Sequence, residues 1–63
     1  MNELIIGQNY VTKKGSVLKY VGMIEQLNLF KYVSGNKDLA EYVIDPFGIV
    51  ICINKNVQLD AHN

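Results

Sequence analysis

With 63 residues, of which 49% are aliphatic or aromatic, the chain has room for a single domain, residues 1–63, and is too apolar to be a disordered tail. Six Lys balance six Asp plus Glu and Arg is absent, which removes the residue best suited to bidentate phosphate and base contacts and argues against strong nucleic-acid binding. A single Cys excludes an intrachain disulfide, and no apolar run approaches the ~18 residues of a membrane span.

The chain opens on Met1-Asn2-Glu3-Leu4-Ile5-Ile6-Gly7, which has neither the basic region nor the long apolar stretch of a signal peptide, so a cytoplasmic protein is expected. A first short strand is predicted over 3–6 and a second over 8–12, separated by Gly7 and followed by the Lys13-Lys14-Gly15 turn. In 16–23, Leu18, Tyr20 and Gly22 alternate with Val17, Lys19, Val21 and Met23, as a strand does. In 27–33, Leu27, Leu29 and Val33 oppose Asn28, Phe30 and Tyr32 in the same way. Met23 to Lys31 also has fair helix propensity, with apolar residues at 23, 24, 27 and 30, so a helix near 23–33 and an α+β fold form the alternative.

Ser34-Gly35-Asn36-Lys37-Asp38 reads as a turn first and a contact loop second. Strands over 40–45 and 49–53 then flank Asp45-Pro46-Phe47-Gly48. Asp suits the first position of a type I turn, Pro the second and Gly the fourth, so these flanks are expected to form a hairpin. The run Ile49-Val50-Ile51-Cys52-Ile53 is apolar on both alternating sets, as in a strand covered on both faces or one belonging to an interface. Asn54-Lys55-Asn56 punctuates, and a last strand is predicted over 57–59. The whole reads as an all-β small barrel or sandwich.

Three stretches carry a resemblance: Ile6-Gly7-Gln8-Asn9-Tyr10, Lys14-Gly15-Ser16 and Lys19-Tyr20-Val21-Gly22. This pattern resembles the opening of small SH3-like barrels, and the later hairpin with Val57-Gln58-Leu59 resembles their last strands. The likeness spans residues 6–59 and implies an all-β, small SH3-like barrel of five to six short antiparallel strands. The chain departs from SH3 domains that bind Pro-rich peptides: it has no Trp, no acidic loop after the first strand and only Pro46. It is nearer to the tiny SH3-like proteins of bacteriophages and mobile elements, many of which bind and inhibit a host protein; that implies a role but carries over no functional residue.

No constellation for catalysis stands out, and no enzyme is expected. His62 is the only His and lies in the tail, while Cys52 sits in an apolar strand where Cys packs as a small hydrophobe. One Cys and one His cannot close a zinc site, and the carboxylates are scattered, so no metal and no cofactor are expected. The six aromatics are the stronger signal: Tyr10, Tyr20, Tyr32, Tyr42, Phe30 and Phe47 are too many rings for so small a core. The expected function is a small non-enzymatic protein-binding domain, acting by surface contact through exposed aromatics and one sheet edge, with Phe47, Tyr32, Phe30, Tyr42, Lys13 and Lys14 as candidate contacts. Its partner would be another protein or a second copy of the chain, in a homodimer or a homo-oligomeric structural protein. The alternatives are a small barrel that binds single-stranded nucleic acid through Lys13, Lys14, Lys19, Lys31 and stacked tyrosines, and an enzyme using Cys52.

Overall fold

Short β-prone segments cut by Gly, Asn and Asp leave the chain few options but antiparallel pairing. The computed structural model describes residues 3–53 and 59–62, and among these it is all-β with no helix. Its strands are β1 (Asn9–Val11), β2 (Val17–Ile24), β3 (Leu27–Ser34), β4 (Tyr42–Ile44), β5 (Ile49–Cys52) and β6 (Asp60–Ala61). They form one antiparallel sheet in the order β4-β5-β3-β2-β1-β6. The result is a small barrel-like domain in which one face of the sheet encloses the core.

The register explains which residues are enclosed. Tyr20 faces Phe30, Phe30 faces Val50, and Tyr42 faces Cys52. Tyr10 faces Leu18, which in turn faces Tyr32. Because side chains alternate along each strand, all of these fall on one face. Leu39, from the segment between β3 and β4, joins this core, and Leu4 and Leu59 pack against it. Phe30, Leu18 and Val50 are fully buried, each contributing about 1.5–3 kcal/mol of hydrophobic stabilisation. Phe30 meets Tyr20 at 5.3 Å between ring centroids and Tyr42 edge-on at 6.3 Å.

Three expectations need correction. Residues 3–6 are not a strand: Leu4 packs on the core, Ile5 donates its N–H to the Tyr10 hydroxyl, and a turn follows at Ile6 and Gly7. The last paired segment is Asp60–Ala61, against Val11 and Tyr10; of the strand expected over 57–59, Leu59 is unpaired, and Val57 and Gln58 lie outside the described residues. The helix near 23–33 does not form. Glu25 and Gln26, at φ 48° and 68°, make a two-residue hairpin loop between the paired Ile24 and Leu27. Two positive φ values in such a loop define a type I′ turn, which Asn-Gly normally announces. Glu-Gln gives no such signal, and the strain it accepts is outweighed by the pairing of two eight-residue strands.

Candidate functional site

Two turns of this domain share one bonding scheme. In the β4–β5 hairpin, Gly48 N–H donates to Asp45 O (3.0 Å), and Asp45 N–H to Ile49 O (2.9 Å). The Asp45 carboxylate accepts two more bonds, from the N–H groups of Phe47 (2.9 Å) and Ile49 (2.8 Å). Phe47 does not have positive φ, whereas Gly48 does at 85°; this is a type I turn closed by a left-handed residue, as the sequence predicts. In the β1–β2 hairpin, Gly15 N–H donates to Thr12 O (3.0 Å), Thr12 N–H to Ser16 O (2.8 Å) and Ser16 N–H to Thr12 Oγ1 (3.0 Å). Gly15 takes the left-handed position at φ 87°.

The surroundings of the two turns differ. The segment after β3 folds over the β1–β2 turn. Buried Ser16 donates its hydroxyl to Asn36 O, Lys14 Nζ lies 2.7 Å from Asp38 Oδ2, and Tyr32 donates its hydroxyl to Gly35 O. Gly35 passes so close that a Cβ there would run into the carbonyl oxygen of Gly15 and lie 3.1 Å from Ser16 Cα. Asn36 Oδ1 accepts the Asp38 N–H and shapes the loop locally. The stretch expected as a turn first and a contact loop second thus makes its contacts inside the molecule.

No described residue folds over the β4–β5 turn in the same way. The Phe47 ring stands 89% exposed at its tip. The turn geometry accounts for Asp45, Pro46 and Gly48, but it makes no use of a phenyl ring at this position.

The six candidate contacts therefore separate. Phe47 is fully presented. Lys13 is exposed at the tip of the β1–β2 turn, and Lys14 beside it is paired to Asp38. Tyr32 and Tyr42 are half-buried against the core. Phe30 is 1% exposed and offers no surface to a partner; its place at the centre of the sheet, between β2 and β5, takes it out of the candidate set. The Tyr42 hydroxyl is enclosed without a hydrogen-bond partner, and its pKa is pushed up to about 12, chiefly by burial and then by the nearby Cys52 and Glu41. The apolar strand 49–53 lies inside the sheet, as β5 between β4 and β3, and the edge on this side is β4. Asp45 and Glu41 bond to Ile49 and Ile53 across the hairpin, so the alternation of an antiparallel ladder turns the backbone of Ile44 outward.

A feature beyond the six candidates lies on the sheet face opposite the core. Val43, Ile51 and Leu29 stand side by side there on β4, β5 and β3. Val43 is 50% exposed, and Ile24 and Ile53 nearby are exposed as well. The signal in the sequence was the run 49–53, apolar on both alternating sets. One set is core; the other faces outward with no second layer of described residues over it.

Among the described residues no group of three His, Cys, Asp or Glu side chains is placed to hold a metal ion, and no helix is long and apolar enough to cross a membrane. Cys52 is 6% exposed, and His62 lies at the other end of the sheet order, where its N–H donates to Asn9 O beside β6. No protein-family model matches this chain, and neither a curated protein nor a solved structure gives a significant match.

Proposed function

We propose that this protein is a small, non-enzymatic, cytoplasmic protein-binding domain that modulates another protein by surface contact, in the manner of a phage-type inhibitor, with the β4–β5 hairpin as its principal contact. The observation that carries this reading is the Phe47 ring, 89% exposed on a turn held by four hydrogen bonds. An aromatic ring on a rigid support brings a large apolar area with few rotors to freeze, so little of its binding energy goes into ordering the site. Burying such a ring against a partner is worth about 1.5–3 kcal/mol. The outward backbone of Ile44 on the adjacent edge strand gives a partner strand a place to pair.

Nucleic-acid binding finds less support. Lys19 and Lys31 face each other across β2 and β3, but their row continues to Ile49 and Asn9 rather than to an aromatic platform. The buried thiol of Cys52 likewise gives little support to a nucleophile.

The test is affinity capture from the source cells with the native chain and with Phe47→Ser in parallel, followed by titration of the recovered protein. The expected partner is bound by the native chain and lost with Phe47→Ser, while both chains melt at the same temperature. A partner held equally by both removes the hairpin from the interface, and the absence of any partner removes the reading.

A further inference from the structure

We infer that the partner of the β4–β5 hairpin meets it with a cationic, donor-rich surface, in which Arg or Lys side chains rim an apolar hollow for Phe47. This inference rests on the reading of the hairpin as the principal contact, and it specifies the chemistry of what the hairpin contacts.

Hydrogen bonding within the hairpin leaves almost no backbone donors to a partner. The Tyr42 N–H donates to Leu39 O (3.0 Å), the Asp45 N–H to Ile49 O (2.9 Å) and the Gly48 N–H to Asp45 O (3.0 Å). The Phe47 N–H is held by the Asp45 carboxylate, and Val43 bonds to Ile51 within the ladder. Pro46 has no N–H to offer. Between Tyr42 and Gly48, the Ile44 N–H is what remains. Acceptors are in surplus by comparison. The outward carbonyl oxygens of Tyr42 and Ile44 accept no bond among the described residues, and neither do those of Pro46 and Phe47. A partner strand paired at Ile44 supplies one donor and one acceptor there, and the other oxygens still call for donors.

The side chains add to the same imbalance. From Leu39 to Ile53 the charged residues are Glu41 and Asp45, with no Lys among them. Both bonds to the Asp45 carboxylate fall on Oδ1, so Oδ2 has no partner among the described residues. Glu41 is exposed, and the salt bridge formed among the described residues joins Lys14 to Asp38 in the other clasp. Lys31 is separated from Asp45 by Ile49 and makes no ion pair with it. Glu41 and Asp45 lie four residues apart along the edge, about 13 Å in extended chain. Val43 and Ile44, each 50% exposed, stand between them, and the Phe47 ring lies just beyond. The edge is thus an acidic, acceptor-rich strip with an apolar centre and a phenyl ring at its tip.

Such a strip is complemented by groups that donate without accepting. Lys and Arg are the side chains that do so with a full charge. Arg also lays its planar guanidinium on an aromatic face, so a cation beside the hollow meets Phe47 as well as the carboxylates. A charged donor makes about twice as strong a bond to a free oxygen as a neutral one. An acidic partner surface would desolvate the same oxygens and leave them unmet.

The probe is the protein recovered with the native chain, titrated calorimetrically against the native chain and its variants, with the folding of each checked by circular dichroism. Raising NaCl from about 0.05 to about 0.5 M is expected to weaken binding about tenfold. Glu41→Lys is expected to weaken it by about tenfold or more, and Glu41→Gln by less than Glu41→Lys. Asp60→Lys makes the same change of charge on the opposite edge strand, β6, and is expected to stay within about threefold of native. Binding lost with Phe47→Ser but indifferent to salt and to Glu41→Lys overturns this inference and leaves the hairpin reading standing. So does an equal loss with Asp60→Lys, which would assign the effect to net charge. Binding retained by Phe47→Ser, or recovery of no partner, overturns the hairpin reading and this inference with it.

Discussion

The β1–β2 and β4–β5 hairpins close through the same set of backbone bonds, with a side-chain oxygen of the first turn residue capping an N–H and a left-handed glycine ending the loop. Yet one is clasped by the segment 35–38 and serves as an internal anchor, and the other stands clear and displays a phenyl ring. Turn chemistry therefore accounts for how each hairpin closes but says nothing about its use. What separates them is whether another part of the chain passes close by. Gly35 makes that approach possible at the first hairpin, since only a residue without Cβ fits against the Gly15 carbonyl.

The largest expected effect comes from closing that approach. Gly35→Ala places a methyl group against Gly15 O at a backbone angle of φ 96° that L side chains rarely adopt, and is expected to cost about 2–4 kcal/mol in urea unfolding. A cost under ~0.5 kcal/mol would mean that the clasp gives way freely, and the contrast between the hairpins would lose its basis. Next is Ser16→Ala, which leaves Asn36 O without its buried donor; about 1–3 kcal/mol of stability should be lost, read from the same denaturation curves.

The shared bonding scheme predicts a smaller, graded pair. Asp45→Ala removes the acceptor of two N–H groups and Thr12→Val that of one, so the expected losses are about 1–2 and about 0.5–1 kcal/mol. A reversed order would show that the clasp, rather than the cap, holds the first turn. The smallest effect is expected at the displayed tip: Phe47→Ser should change the unfolding free energy by less than ~0.5 kcal/mol, since almost none of the ring is buried. A substantial loss would assign Phe47 to the structure and leave the second hairpin as internal as the first.

Much of this was legible in the chain. The Asp45-Pro46-Phe47-Gly48 turn, the strands around it and the long pair β2–β3 follow from turn residues and alternation, because both act within a few positions. The β2–β3 loop was obscured, because Glu25 and Gln26 hold positive φ values that neither residue favours; only strand pairing on both sides keeps them there. Phe30 and Phe47 are equally apolar, and no local rule separates them. Phe30 is enclosed because β2 and β5 pair on either side of it, and Phe47 is exposed because it lies in a turn that no other described segment covers.

The sequence by itself thus determined an all-β chain, where its hairpins turn and which residues cap them, since these depend on dihedral preference and short-range hydrogen bonding. The tertiary structure alone decided which rings are core, which hairpin is clasped and that half of the apolar run 49–53 faces outward. Those outcomes depend on which strands become neighbours, and the order β4-β5-β3-β2-β1-β6 is set by burial summed over the whole sheet.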